Sequence, residues 1–228
     1  MQISHGAMLA VAEICHALKQ CRDNDPELEI YWQSKHQLIK EIGSIPYRIP
    51  PKSLTTFGSE HIREAICRLV ECMAIVNIPN FPIDQQHEGK EGSVVALDVW
   101  KNVVHSSLER KEENVQEFAV AAFGAIASTY GISKEEIYTC LDKIASTRLV
   151  YGRRGYALAL GKVSYLVDDR RAWLPDAVRH LCSAAQVQVL IYIDVYRIET
   201  YILIFHSGFN RENSKQMMQR QNVMLLSV

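Results

Sequence analysis

Apolar residues recur at helical spacing through most of this chain. Ile3, Ala7, Ala10, Val11, Ile14 and Leu18 predict a first helix from roughly Ile3 to Leu18, broken by Asp23 to Pro26. Leu28, Trp32, Ile39 and Ile42 mark a second, closed by Gly43 and then Pro46, Pro50 and Pro51, so residues 43–58 read as a loop. Ile62, Ile66, Leu69, Met73 and Val76 keep to one helical face; Pro79 and Pro82 stop that helix, and Phe81 to Gly92 reads as a second, polar loop. Leu97, Trp100, Val104 and Leu108 give the next. Val115, Ala119, Ala122 and Ile126 follow, with Gly131 placed as a helix-ending glycine. Ser133 and Glu136 form a capping box opening a helix through Ile137, Leu141 and Ile144. Tyr156, Leu160 and Val163 mark another, then Trp173, Val178, Leu181 and Ala185, with Pro175 in the first turn. The pattern predicts eight helices paired in sequence order, with no strand-like alternation before Gln186.

Four of these helices share a texture. Met1 to Ala12, His61 to Met73, Asn114 to Ala127 and Tyr151 to Lys162 each open on polar, basic or small residues and run into an Ala-rich apolar stretch. Taking Gly6, Glu64, Glu117 and Gly155 as equivalent, the steps are 58, 53 and 38 residues. HEAT and armadillo helix pairs repeat at about 40–47 residues, so one step is short and two carry insertions. Units that cannot bury an apolar face alone must stack on their neighbours. The expected fold is therefore all-α, a HEAT/armadillo-like α-solenoid of antiparallel helix pairs over residues 1–186.

From Val187 to Phe205 the texture changes to β-branched and aromatic residues, the composition of strands. Asp194, Arg197 and Glu199 in its middle exclude a membrane span. Residues 187–228 are expected to form a divergent tail, strand-forming or disordered, outside the solenoid and without a function of its own.

The charge balance of −1 gives no global attraction to nucleic acid or to an anionic membrane surface. Cys15, Cys21, Cys67, Cys72, Cys140 and Cys182 include no Cys-x-x-Cys pair, and no Asn-x-Ser/Thr sequon occurs. They read as free thiols, mostly buried, in a cytoplasmic chain without a leader peptide.

The sequence offers no active site. Gly155 to Lys162 is a poor phosphate loop, with five residues between Gly155 and Gly161 and Val163 where a metal-binding hydroxyl belongs. Its small residues fit close helix packing better. His61 and Glu64 share a helical face as a surface pair, not a metal site. The Arg153-Arg154 and Arg170-Arg171 pairs read as solvated or partner-facing charge, and Trp32 and Trp100 as core. No catalytic, cofactor-binding or metal-binding residue is assigned, and no cofactor.

The order of the Ala-rich helices resembles the HEAT-repeat region of the tubulin-folding cofactor D (tubulin-specific chaperone D) family. The residues carrying the likeness are Ser4 to Glu13, Ile62 to Glu71, Val115 to Phe123 and Arg154 to Gly161, together with the long loop after the second helix. The likeness extends from residue 1 to about 185. Family members are longer, so the chain resembles a fragment of their later half, and they continue into further helices where this chain has its tail. The resemblance implies a cytosolic chaperone segment that captures β-tubulin and supports assembly with α-tubulin and tubulin-folding cofactors E and C. That assembly stimulates GTP hydrolysis on tubulin, and the family also binds an Arf-like small GTPase. The resemblance brings no catalytic residue with it. A HEAT-repeat scaffold with a different protein client is the alternative reading.

Overall fold

The computed structural model describes residues 5–83, 94–164, 166, 175–179 and 181–182. These residues are almost wholly helical: α1 (His5–Asn24), α2 (Pro26–Gln33), α3 (His36–Gly43), α4 (Ser59–Ile75), α5 (Ala96–Leu108), α6 (Glu113–Tyr130), α7 (Lys134–Ser146) and α8 (Val150–Val163). Residues 175–179 and 181–182 are helical as well. The expected tail beyond Gln186, Arg170-Arg171, Trp173 and most of the polar loop after Phe81 lie outside the described residues.

Three details depart from the sequence expectation. The second helix is two, α2 and α3. The break falls at Lys35, whose backbone leaves the helical region at φ −94° and ψ 45°, just after Ser34 donates its hydroxyl to the Tyr31 carbonyl at 2.6 Å. Residues 45–48 and 51–54 of the expected loop are short 3-10 turns seated on prolines. The stems of the polar loop pair as a two-residue antiparallel ladder, Pro82 opposite Val95 and Ile83 opposite Val94, so strand does occur before Gln186.

Helix ends follow local chemistry. Asp25 accepts from the Glu27 N–H at 3.0 Å to start α2. Both capping-box bonds between Ser133 and Glu136 are present at the start of α7. α4 ends before either proline: Asn77 takes a left-handed φ of 56°. Its N–H then reaches the Ala74 carbonyl, and that of Ile78 reaches Met73.

The four Ala-rich helices stack side by side, α1 on α4, α4 on α6 and α6 on α8. All four run in the same direction, as contacts at both ends show. The His5 and His61 rings meet at the starts of α1 and α4, 5.9 Å apart. At their ends Arg22 Nη1 donates to the Val76 carbonyl at 2.7 Å. Thr129 and Tyr130 at the end of α6 donate to the Ala74 and Ile78 carbonyls at 3.0 and 2.5 Å. Near the start of α6, Gln116 Nε2 reaches the Tyr151 carbonyl at the start of α8. The carbonyls left over at the end of α4 are thus taken up by side chains of its two neighbours.

A second layer lies across this one. α5 packs on α6 and α7 on α8. Trp100, early in α5, meets Tyr130, at the end of α6, at a ring distance of 6.2 Å, so α5 and α6 are antiparallel. Lys101 pairs with Glu136 at 2.6 Å and Lys143 with Glu109 at 2.8 Å, which makes α5 and α7 parallel. The contacts also correct the internal alignment. Residues of α1 meet residues of α4 that lie 54 to 56 positions further on, not 58, a slip of just under one turn.

The core runs between the layers without a break. Trp100 is wholly buried and donates its indole N–H to the Gly43 carbonyl at 2.8 Å, and Trp32 is buried too. Leu160 of α8 is buried in the same cluster as Tyr156 and Val163. Leu160→Ala is expected to cost about 2–5 kcal/mol in urea melts. A loss under about 0.5 kcal/mol would put Leu160 at the surface, where ordinary substitutions have effects of that size.

Candidate functional site

A stacked layer of parallel helices leaves one broad face to solvent, and in this chain that face is set by the helical period of α4, α6 and α8. On α4 the polar residues in contact with solvent are Glu60, His61, Glu64, Arg68 and Glu71, which fall on one side of the helix. The corresponding positions are Glu117, Ala121 and Ser128 on α6, and Arg154, Leu158 and Lys162 on α8. Small residues in the middle rows keep the surface shallow. Lys162 lies across Gly124, where a Cβ would come within 2.8 Å of its Cγ.

Of the basic groups on this face, Arg68, Arg154 and His61 are engaged, and Lys162 has no ion pair among the described contacts. Arg68 bridges Glu13 of α1 at 3.0 Å and Glu71 at 2.9 Å, tying two helices together. Arg154 pairs with Glu113. His61 and Glu64 form the surface pair expected of them, 3.5 Å apart, with His61 well exposed. Glu117 has no such pair among the described contacts, so the face presents carboxylates and the Lys162 ammonium around the half-buried Ala121 and Leu158.

Beneath its edge lies a knot of buried polar groups that sequence reasoning missed. Gln116 is wholly buried. Its Nε2 lies 3.0, 2.6 and 2.5 Å from the carbonyls of Leu108, Arg110 and Tyr151, and its Oε1 accepts from Arg154 Nε at 2.9 Å. Gly155 packs beside it, directly against the Leu108 carbonyl. The glycine that opens the would-be phosphate loop thus faces protein backbone, as close helix packing requires. Arg63 is buried as well, donating to the Leu54 carbonyl at 3.0 Å and to Ser106 and Ser107, each at 3.1 Å. Arg153 is buried and donates to the Thr147 carbonyl. Only Arg153 of the pair is withdrawn from solvent, bracing the α7–α8 turn; Arg154 keeps part of its side chain in water and braces α6 against α8. The signal for Gln116 was its place on the helical face of Ala119, Phe123 and Ala127.

On the second layer, Glu109 accepts from Lys143 at 2.8 Å and from the Tyr156 hydroxyl at 3.0 Å. The Lys143 ammonium holds the Glu109 carboxyl below the ordinary carboxylate range against the opposing effect of burial, and burial followed by Glu109 pushes the Tyr156 hydroxyl up. Burial holds His105, ringed by Phe123 and Tyr156, below the usual imidazole value. This cluster ties α5, α7 and α8 together with each charge matched, the arrangement of a structural network.

Cys15, Cys67, Cys72 and Cys140 are buried and Cys21 and Cys182 exposed. Burial raises the Cys15 thiol to about 11 and each of the other three buried thiols to about 12. They stay protonated at neutral pH, the state of an inert core thiol. Among the described residues no group of three or more His, Cys, Asp or Glu is placed to hold a metal. No described helix is long and apolar enough to cross a membrane.

Comparison with family models, with curated proteins and with solved structures finds no match to this chain.

Proposed function

We propose that the chain is a HEAT-type α-solenoid segment that binds protein, serving in tubulin folding after release from the chaperonin. In this reading it captures β-tubulin and supports its assembly with α-tubulin and tubulin-folding cofactors E and C, in the cytoplasm. Its part in GTP hydrolysis is exerted on tubulin's nucleotide, and an Arf-like small GTPase is a further partner. The observation that supports the reading is positional. The four segments resembling the tubulin-folding cofactor D family fall on α1, α4, α6 and α8, four parallel helices stacked in that order. A layer of this kind offers a broad shallow face, suited to gripping a large client over much of its surface.

A pull-down of purified β-tubulin by the full chain tests the proposal. Retention above that of an unrelated helical protein is expected, and retention equal to it would sink the reading. The exposed layer face is assigned to the grip. Leu158→Asp, which puts a charge on its half-buried apolar centre, is expected to weaken binding about tenfold, or about 1.4 kcal/mol. Circular dichroism should not change. Binding untouched by Leu158→Asp would place the grip elsewhere.

A further inference from the structure

The start of α8 is an uncapped helix end with Arg148 and Arg153 beside it. Leu149 stands at the N-cap, where it has no side-chain oxygen to offer, and the first turn holds no acidic residue. The first turns of α4, α5, α6 and α7 do hold one: Glu60, Asp98, Glu113, and Glu135 with Glu136. The Arg153 N–H bonds to the Leu149 carbonyl at 3.2 Å, so those of Val150, Tyr151 and Gly152 lack an acceptor within the helix. They form the positive end of the helix dipole. Leu149 and Val150 are exposed, Leu149 at 53%, so this end is open to solvent.

Arg153 brings a second, independent signal. It is only 8% exposed, and its Nη1 has no hydrogen-bond partner although it is closed to solvent. Its Nε donates to the Thr147 carbonyl. Thr147 in turn lies against the first turn, its Cγ2 2.9 Å from where a Cβ on Gly152 would stand. The guanidinium therefore runs back to the start of its own helix, the direction a helical side chain favours. No carboxylate pairs with it among the described residues, whereas Arg154 is taken by Glu113 and Gln116. A buried charge without a counter-ion destabilises the fold that holds it. Arg148, just before the cap, is exposed and adds to the positive charge here.

We propose that the start of α8 binds a phosphate group, free or carried on a side chain of a partner protein. The donors suit that chemistry. Phosphate presents oxygens in several directions, so some can accept from the N–H groups of Tyr151 and Gly152 while others accept from the fork of Arg153. Bound there, it supplies the counter-ion that Arg153 lacks and the cap that Leu149 cannot provide. The site lies about a turn ahead of Gly155 and does not depend on the would-be phosphate loop or on the identity of the client protein.

Amide NMR spectra of the full chain test this, titrated at constant ionic strength with inorganic phosphate and separately with a short phosphoserine peptide. Saturating shifts of the Tyr151 and Gly152 amides are expected, with sodium chloride giving none. Either ligand saturating the site sustains the proposal, and the one that does so at lower concentration identifies the source. Arg153→Gln should weaken binding about tenfold, through loss of a charge-assisted pair. Leu149→Asp separates binding from folding, because it places a capping carboxylate on the same N–H groups. Its melt should be unchanged or higher while phosphate binding falls at least as far as in Arg153→Gln. Amides that move with neither ligand, shifts that chloride reproduces, or binding untouched by Leu149→Asp would each overturn the proposal.

Discussion

Gly155→Ala is expected to destabilise this protein, and Gly155→Leu to cost about 3 kcal/mol or more in denaturant melts. The first expectation runs against the usual sign. In an ordinary helix interior alanine is better than glycine by about 0.5–1 kcal/mol, because glycine loses more backbone freedom on folding. At Gly155 a Cβ would overlap the Leu108 carbonyl oxygen and stand 2.9 Å from the carbonyl carbon and 3.1 Å from Gln116 Nε2. Two of those atoms are backbone, so no side chain can swing aside, and α8 would have to retreat from the end of α5. Gly6 provides the contrast: a Cβ there meets nothing within 4 Å, and Gly6→Ala should be neutral or mildly stabilising. If Gly155→Ala matches Gly6→Ala in sign, the seam between α5 and α8 is looser than the structure has it.

Why the sequence disclosed some of this and not the rest comes down to range. The periodic burial of Ile66, Leu69 and Met73, or of Ala119, Ala122 and Ile126, is a property of one helix and is written in its own spacing. The shared Ala-rich texture of α1, α4, α6 and α8 likewise marked the helices that stack. The break between α2 and α3 was not legible, because nothing about a lysine within a helical pattern marks the non-helical backbone that Lys35 adopts. Nor was the early stop of α4, where Asn77 accepts a left-handed conformation that few residues tolerate. The buried polar residues were furthest out of reach. Arg63 finds Ser107 44 residues away and Gln116 finds the Tyr151 carbonyl 35 residues away. In the sequence these are simply polar residues on helices.

Gln116→Leu is expected to be the most damaging change of similar size in the first layer. Leucine fills nearly the same space, so the loss would be one of hydrogen bonding and not of packing. The carbonyls of Leu108, Arg110 and Tyr151 would lose a common donor, and Arg154 Nε its acceptor. The Tyr151 carbonyl lies within α8 and keeps its helical partner, but the Leu108 and Arg110 carbonyls and Arg154 Nε do not. At about 1–3 kcal/mol for each buried polar group left unpaired, a loss of about 2 kcal/mol or more is expected even if water reaches one of them. Gln116→Glu separates this account from a packing effect. A carboxylate oxygen in place of Nε2 would face three carbonyl oxygens with no hydrogen to offer. Arg154, already paired with Glu113, compensates only in part. The fold would therefore favour the protonated acid and raise its pKa above the unfolded value of about 4.3. With the folded value the higher one, the destabilisation should be small below the unfolded pKa and should grow as pH rises through the folded one. Melts of Gln116→Glu and the natural chain, compared at each pH, should diverge from acid toward neutral. A difference that stays constant with pH would mean that the three carbonyls are not held by this side chain.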